Sequence, residues 1–493
     1  MAKVVIVGGG VSGLSAGIYA QLRGHSAIIC EKHTKAGGNL TGWDRGGYRI
    51  DNCIHWLTGT NPKTDSYRMW CELGALGDGI NVHYGDSLFT CSRDGQSVSL
   101  YSDLEKTRRS MLKVSDRDRK ETDDFIMAVR VMVGLMGTDD EKNRVLSAIM
   151  LPKLVKYYFV STGELAKRFE HPLLKDLICG VMGEDFGALA LVCVFAIFCS
   201  GNGGIPEGGS VAMAERMSDR FLKLGGQLLL QSEVTRIQSK HGVADGVHLS
   251  DGRVINADYV ILACDTVESF NRLLGSRMPR KLEKQYHNSK MKIFSSIHTA
   301  FACDLTDLPF EADHVFAIPR LEERILGSKY LVLREFSHEP DFAPKGKNII
   351  QALVFCEEKR ARDYIALSKD KERYKAKKDE IASNMQSLIE GKFPSLCGKL
   401  QVIDAWTPAT YNRYTNSETG AYMSLVLPPR MLPHRLDCKV KGFENVILAT
   451  QWQKSPGGLP TAAECGRVAI EEICKREAGI IQKAYSAKKA YAK

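Results

Sequence analysis

The chain has 493 residues, of which 44% are hydrophobic and 25% charged. This composition excludes extensive disorder and a multispan membrane protein, and it fits two or three globular domains. The formal net charge of +9 is a mild excess, so we expect no nucleic-acid partner. The 14 cysteines form no CxxC pair and no zinc-ligand spacing, which predicts reduced thiols, no metal site and a cytoplasmic location.

A glycine-rich loop follows the first predicted strand. Residues 4–7 are a short run of β-branched apolar residues, typical of a strand buried on both faces of a parallel sheet. The loop that follows reads G-x-G-x-x-G, in which Gly8 allows a tight turn, Gly10 lets a pyrophosphate approach the backbone and Gly13 lets the next helix pack closely. A second strand ends at Glu31, whose carboxylate can accept both ribose hydroxyls. The segment predicts an adenine dinucleotide site, and by itself it fits NAD as well as FAD.

The sequence after Glu31 separates these two cofactors. Gly37 and Gly38 form a glycine pair shortly after the acid, and the segment 47–56 follows. These features resemble the N-terminal signature of the flavin-containing amine oxidase and phytoene desaturase superfamily. The resemblance implies that the glycine pair lies along the pyrophosphate and that the next strand approaches the flavin ring, so we predict FAD. The family most often has Arg where Asn39 stands, so we expect no cationic phosphate contact there.

Two further segments resemble the other parts of this FAD site. Residues 233–253 predict a β-meander, and the resemblance implies that the backbone at Val234 contacts the adenine, although a plain hairpin layer is an alternative. A predicted strand at 445–450 precedes a Pro-Gly-Gly sequence and a helix. The first amides of that helix can bind the ribityl and ring oxygens of a flavin, and a purely structural helix start is the alternative. The family commonly has Gly where Thr450 stands.

The glycine pattern and the resemblance together predict FAD contacts in three separated segments. The predicted contacts are Gly8, Gly10, Val11, Ser12, Gly13, Leu14, Glu31, Lys32, Gly37, Gly38, Asn39, Leu40, Ile54, His55, Val234, Cys264, Gln451, Gly457, Gly458, Leu459, Pro460 and Ala462. The FAD site is therefore expected to be a composite that forms only when distant parts of the chain meet.

The fold class implied by the resemblance is α/β with two domains. Residues 1–85, 201–284 and 430–480 are expected to form a Rossmann-like FAD-binding domain of the GR2, amine-oxidase type. Residues 86–200 and 285–429 are expected to form an α+β substrate-binding domain with a helical apolar portion. Residues 481–493 are predicted to be a basic tail.

The resemblance is strongest to phytoene desaturases, carotenoid cis–trans isomerases and retinol saturases. The residues that carry it are the pairs 55–56 and 451–452 and the segments 406–410 and 420–422. It implies oxidation, saturation or isomerisation of carbon–carbon bonds in a lipophilic isoprenoid or polyene-like substrate, with hydride transfer at flavin N5. A flavin amine oxidase is the alternative enzyme. A prenyl-binding protein of the same fold, such as a Rab escort protein, is a non-enzymatic alternative.

No catalytic motif stands out in the sequence, as expected where the flavin carries the chemistry. His55 is the best acid–base candidate, because its segment approaches the flavin in relatives and an imidazole exchanges protons near neutral pH. A packed structural histidine is the alternative. Tyr411 and Tyr414 are weaker candidates, and an aromatic wall explains both equally well.

Two apolar segments bear on the substrate and on a membrane partner. The segment 151–159 alternates apolar bulk with lysine, and 188–199 is almost wholly apolar but too short for the ~20 residues that span a bilayer. These segments are expected either to line a tunnel for a small apolar substrate, with 151–159 resting on a membrane surface, or to be core helices. The sequence does not predict an oligomeric state.

Overall fold

The computed structural model describes residues 1–136, 145, 148–286, 292–310, 315–318, 328–426, 428–431 and 435–491. The strands are β1 Lys3–Val7, β2 Ser26–Cys30, β3 Gly42–Arg45, β4 Tyr48–Asp51, β5 Leu57–Thr58, β6 Val82–His83, β7 Ser87–Arg93, β8 Gln96–Tyr101, β9 Gly203–Pro206, β10 Gln227–Leu229, β11 Val234–Lys240, β12 Val243–Leu249, β13 Val254–Asn256, β14 Tyr259–Leu262, β15 Phe294–Cys303, β16 Val315–Ile318, β17 Leu331–Glu335, β18 Asn348–Glu357, β19 Leu400–Trp406 and β20 Val446–Leu448. The α-helices that lie wholly within the described residues are α1 Val11–Leu22, α2 Asp65–Glu72, α3 Leu104–Val114, α4 Arg119–Leu135, α5 Val155–Tyr158, α6 Thr162–Ala166, α7 Pro172–Gly180, α8 Ala188–Cys199, α9 Gly209–Lys223, α10 Thr266–Glu268, α11 Arg280–Tyr286, α12 Glu358–Leu367, α13 Lys371–Lys392, α14 Pro408–Thr415 and α15 Leu459–Tyr491.

Five short strands form a parallel sheet in the order β10-β2-β1-β14-β20. The central strands are apolar because both of their faces are covered. Val4 and Ile6 pack in one core with α1 and α15, and Val5 and Val7 pack in another with the meander β11–β13. This is the Rossmann-like arrangement that the sequence predicts, and the predicted meander is confirmed.

A second, mixed sheet has seven strands in the order β19-β15-β18-β17-β16-β7-β8. Its strands come from both predicted insertions, and β16 joins the two groups through parallel pairing with β7. Helices α3–α8 surround an apolar core beside this sheet that contains Phe89, Phe125 and Phe195. The α+β character of the second region therefore agrees with the prediction, and the domain boundaries remain a proposal.

The most apolar helix, α8, lies inside this second region. Leu191, Val192 and Phe195 are fully buried, and α8 packs against α4. Among the described residues, no helix combines the length and the apolar character needed to cross a bilayer.

The predicted basic tail does not begin at a break in secondary structure. Helix α15 continues without interruption through Tyr491, as expected for a sequence rich in alanine and lysine, which are strong helix formers. Residues 492 and 493 of the predicted tail lie outside the described residues.

Candidate functional site

A cavity of about 630 Å³ lies between the two sheets. One wall consists of residues that follow the carboxyl ends of β1, β2, β14 and β20, and the facing wall consists of side chains from β15, β17 and β18. Ligands of open parallel α/β sheets bind at this edge, where the loops leave the strands. The cavity thus has one end at the parallel sheet, here called the nucleotide end, and continues toward the mixed sheet.

Two glycine loops form part of the nucleotide end from backbone alone. The amide of Gly37 donates to the carbonyl of Gly9 at 2.8 Å, which holds the loops together. Gly37 has a φ of +126°, and a Cβ there would overlap the carbonyl oxygen of Leu40, so only glycine fits. A Cβ on Gly10 would meet no atom closer than 3.8 Å. The space over Gly10 is therefore open, and a pyrophosphate can contact the backbone there.

Glu31 is buried directly after β2, and backbone amides hold its carboxylate. Its Oε2 accepts from the Gly9 amide at 2.7 Å, and its Oε1 accepts from the His33 amide at 2.9 Å. A carboxylate has about four acceptor positions, so capacity for further hydrogen bonds remains. Because Glu31 lines the cavity, this capacity suits the two ribose hydroxyls of an adenosine.

The start of α15 forms another part of the wall. Gly457 and Gly458 precede the helix with φ values of +83° and +91°, and Gln451 fixes this loop. Its Oε1 accepts from the Gly458 amide at 2.8 Å, while its Nε2 donates to the carbonyl of Tyr422 at 3.0 Å. The first amides of a helix lack partners within the helix, so the helix start offers donors to oxygen atoms of a ligand.

The end of α14 closes the nucleotide end of the cavity. The ring of Tyr414 stacks on His33 with the centroids 4.1 Å apart, and His33 Nε2 lies 2.7 Å from the Tyr414 carbonyl oxygen. Lys32 Nζ donates to the carbonyl of Arg413 at 2.9 Å and to the side chain of Asn416. Burial lowers the pKa of Lys32.

The charged side chains of the described cavity wall gather at this same end. They are Glu31, Lys32, Glu233, Asp265, Glu268 and Arg272. Arg272 pairs with Glu233 at 3.3 Å and with Glu268. Burial raises the pKa of Asp265 to about 7. The charges surround the position expected for an adenosine and are separate from the rest of the cavity.

The other end of the cavity, here called the apolar lobe, is lined by aliphatic and aromatic side chains. They are Leu88, Phe89, Val181, Met182, Phe186, Ala190, Val194, Ile197, Phe294, Val332, Leu353 and Phe355. These residues come from β7, α8, β15, β17, β18 and the segment between α7 and α8. A ligand in this lobe would lose water and gain apolar contact over most of its surface.

Between the two ends, the cavity wall carries uncharged polar side chains. Ser296 and His298 occupy alternate positions of β15, and His298 Nε2 lies 2.6 Å from Ser296 Oγ and 3.2 Å from Tyr411 Oη. The Tyr411 hydroxyl donates to Asn52 Oδ1 at 3.0 Å. Burial lowers the pKa of His298 to about 3 and raises the pKa of Tyr411 to about 12. Both side chains are therefore uncharged near neutral pH.

Comparison with known proteins identifies the family. Residues 11–474 match the family model of the flavin containing amine oxidoreductases. The chain belongs to this family. Prolycopene isomerase of Arabidopsis thaliana is 24% identical over 85% of this chain and 73% of its own length. The 4,4'-diaponeurosporene oxygenase of Staphylococcus aureus is 22% identical over 96% of this chain and 98% of its own length.

Solved structures confirm the fold of this flavin containing amine oxidoreductase. An oxidoreductase from Methanosarcina mazei has a TM-score of 0.60 at 16% identity and covers 95% of this chain and 100% of its own. A triple mutant of putrescine oxidase has a TM-score of 0.60 at 15% identity, with 96% and 99% covered. The predicted class of enzyme is also confirmed: the chain is an FAD-dependent oxidoreductase.

The geometry of the cavity fits the cofactor of this oxidoreductase family. The open backbone over Gly10 suits the pyrophosphate, the carboxylate of Glu31 suits the ribose, and the start of α15 suits the ribityl and ring oxygens. Most of the predicted FAD contacts line the cavity: Gly8, Gly10, Val11, Ser12, Glu31, Lys32, Gly37, Gly38, Asn39, Leu40, His55, Val234, Cys264, Gln451, Gly457, Gly458, Leu459, Pro460 and Ala462. We retain these residues as proposed contacts.

Three predicted FAD contacts of the oxidoreductase do not line the cavity. Leu14 is fully buried in the core between α1 and the sheet. Gly13 packs against the carbonyl oxygen of Gly8, which a Cβ would overlap. The amide of Ile54 donates to Ser210 Oγ at 3.0 Å and its carbonyl accepts from Arg334 at 2.5 Å. These three residues shape the site from behind its surface, and their direct contact with FAD stays a prediction.

Both predicted catalytic residues line the cavity. Tyr414 stacks on His33 beside Glu31 at the nucleotide end, and its catalytic role stays a prediction. His55 lines the cavity four positions beyond β4 and stays a candidate.

Sequence reasoning missed Asn52, Ser296 and His298 as cavity residues of the oxidoreductase. The available signal was weak. Strand β15 carries four buried polar residues, Ser295, Ser296, His298 and Thr299, and buried polar side chains are unusual enough to mark a functional face.

Proposed function

We propose that this FAD-dependent oxidoreductase desaturates, saturates or isomerises carbon–carbon bonds of a lipophilic isoprenoid or polyene-like substrate. The observation that carries the proposal is the apolar lobe, which is lined by aliphatic and aromatic side chains. The lobe belongs to the same cavity as the FAD cradle, by which we mean the wall formed by the glycine loops, Glu31 and the start of α15. A long apolar ligand would bury most of its surface there, at about 25 cal/mol for each Å² removed from water. The two curated relatives are named for acting on prolycopene and on 4,4'-diaponeurosporene, which supports the same substrate class.

The protein contributes orientation and exclusion of water to this reaction. Bound FAD supplies the capacity to accept or give two electrons. Phe89, Phe186 and Phe355 form rigid walls that limit how a polyene can enter the lobe. His55 would exchange a proton with the substrate at a ring nitrogen, since it lines the cavity.

The alternative of an amine oxidase has less support. A buried cationic amine is best stabilised by a carboxylate near its reacting end. In the described wall of the cavity, the carboxylates belong to Glu31, Glu233, Asp265 and Glu268, all at the nucleotide end. A non-enzymatic prenyl-binding protein would need neither the two glycine loops nor the buried Glu31.

The decisive experiment incubates the protein with polyenes under anaerobic conditions, once with oxidised and once with reduced FAD, because desaturation needs the oxidised flavin and saturation the reduced one. Amines are tested with oxidised FAD in air. We expect C20 to C40 isoprenoid polyenes to change the absorption of the bound flavin and to show a changed number or geometry of conjugated double bonds after extraction. Amines are expected to release no hydrogen peroxide in air. Peroxide release on amines, with no effect of polyenes, would contradict the proposal.

We also propose that the segment around α5 contacts a membrane surface. Ile149 is 71% exposed, and Leu151, Val155 and Phe159 are 45% to 51% exposed, which is unusual for neighbouring large apolar side chains. Lys153 lies among them. Apolar side chains beside a cation suit the interface of an anionic bilayer.

Replacing Leu151 and Val155 together with serine is therefore expected to weaken binding to vesicles that contain anionic lipid. Each side chain contributes on the order of 1.5 kcal/mol when it leaves water, so the partition coefficient should fall at least about tenfold. Co-sedimentation with vesicles measures it. Val254→Ser changes a residue that is 47% exposed on β13 and should leave binding unchanged. Equal binding by the double variant and wild type would exclude this surface.

A further inference from the structure

A directed chain of hydrogen bonds ends at Asn52 on the wall of the cavity. Trp406 Nε1 donates to Tyr411 Oη at 3.3 Å, and the Tyr411 hydroxyl donates to Asn52 Oδ1 at 3.0 Å. An indole N–H is a donor only, so Tyr411 must accept at that contact. Its single hydroxyl proton is then available for one other partner.

The state of His298 decides where that proton goes. Nδ1 of His298 is buried without a hydrogen-bond partner, and the cation of Arg334 lies close enough to lower the pKa of the ring. A buried N–H without an acceptor is costlier than a buried lone pair without a donor. The ring proton therefore lies on Nε2, which donates toward Ser296 Oγ at 2.6 Å and toward Tyr411 Oη at 3.2 Å. Tyr411 is left to donate to Asn52.

This direction fixes the orientation of the Asn52 side chain. With Oδ1 turned toward Tyr411, the amide nitrogen Nδ2 points away from it. Asn52 lines the cavity and is only partly buried, and among the described residues no acceptor is recorded for its Nδ2. An amide held in one orientation by a buried tyrosine has already lost its rotational freedom, which strengthens its hydrogen bond to a ligand.

We propose that Asn52 is a specificity residue, whose oriented amide N–H group donates to one acceptor oxygen at the junction of the FAD cradle and the apolar lobe. Tyr411, His298 and Trp406 act as positioning residues. The acceptor is a hydroxyl or carbonyl oxygen, and two molecules can supply it: an oxygenated isoprenoid substrate or the ring of the flavin. The first source rests on the proposed function, and the second does not.

The experiment compares wild type with Asn52→Leu, which keeps the approximate size of the side chain and removes the donor. Dissociation constants are measured on the FAD-loaded protein for geranylgeraniol and for the hydrocarbon with the same skeleton. If the substrate supplies the oxygen, wild type prefers the alcohol by about tenfold, and N52L loses this preference without a change in the flavin spectrum. If the flavin supplies it, N52L shifts the absorption and the reduction potential of the bound flavin.

The positioning role is tested by Tyr411→Phe alone and combined with N52L. Y411F should reduce the preference for the alcohol, or shift the flavin absorption, when Asn52 is present. It should have no such effect in the N52L background, because the two residues act through one hydrogen bond. Tyr364→Phe removes the hydroxyl of a tyrosine that is buried in a different core and should change none of these quantities. The proposal is overturned if N52L changes neither the preference nor the flavin spectrum, or if the Y411F effect persists in full in N52L. If wild type binds neither ligand, the proposed apolar substrate fails, and the flavin measurements still decide the role of Asn52.

Discussion

Replacing Gly466 with alanine is expected to destabilise the protein and to reduce its FAD content. Gly466 lies in α15 where this helix crosses α1, and a Cβ there would overlap the Ser12 carbonyl oxygen and lie 2.7 Å from the Ala16 amide. Backbone atoms cannot move aside as the end of a flexible side chain can. The two helices must therefore separate, at a cost of about 3 kcal/mol, the upper range for overpacking.

Separation of α1 from α15 would also disturb the FAD site. Ser15 Oγ donates to the carbonyl of Ala463 at 2.6 Å, so the two helix starts that form the cradle are joined at this crossing. The midpoint temperature of thermal unfolding and the ratio of bound FAD to protein should both be lower for G466A than for wild type. Gly479→Ala is the matched control, since it makes the same change in the same helix with nothing within 4 Å of the new Cβ. A G466A protein that unfolds like wild type and retains its FAD would refute the close crossing.

Replacing Glu31 with glutamine is expected to weaken FAD binding about 100-fold, the effect of losing charge-assisted hydrogen bonds and leaving a buried donor unpaired. Both carboxylate oxygens accept from backbone amides, those of Gly9 and His33. A glutamine presents an N–H group to one of these amides, so donor faces donor. The ribose would also lose an acceptor at the same point.

Fluorescence titration of the apoprotein with FAD measures this change. Glu215→Gln removes one carboxylate from an exposed position of α9 and should leave the affinity for FAD unchanged. If E31Q binds FAD as tightly as wild type, Glu31 is a structural acid that only ties the glycine loop to β2.

The local parts of the fold could be predicted from the sequence, because each depends on neighbouring residues. The buried strand β1, the glycine loop and the helix α1 follow one another directly, and the positive φ values of Gly8 and Gly37 explain why glycine stands there. The meander and the start of α15 were predictable for the same reason. The family resemblance then indicated that these separate pieces meet.

The remaining features depend on contacts between distant residues. Tyr411 meets Asn52 across 359 positions of sequence, and no local pattern indicates that pairing. The parallel pairing of β16 with β7 likewise has no local signal in the sequence. The positions of Leu14 and Ile54 behind the cavity wall have a related cause, since the resemblance indicates which segment approaches the cofactor but not which atoms the protein already engages.

The parallel sheet ends with β20, and the last wall of the FAD cradle is the start of α15. The glycine loop leaves the ribosome well before the start of α15, so the growing chain has no complete FAD site until both segments have emerged. Domains generally fold in the order in which they emerge, but here the FAD site needs both the glycine loop and the start of α15. FAD can therefore stabilise the protein only once the start of α15 has emerged, and the yield of active enzyme in a cell should depend on how long the apoprotein survives before it binds FAD.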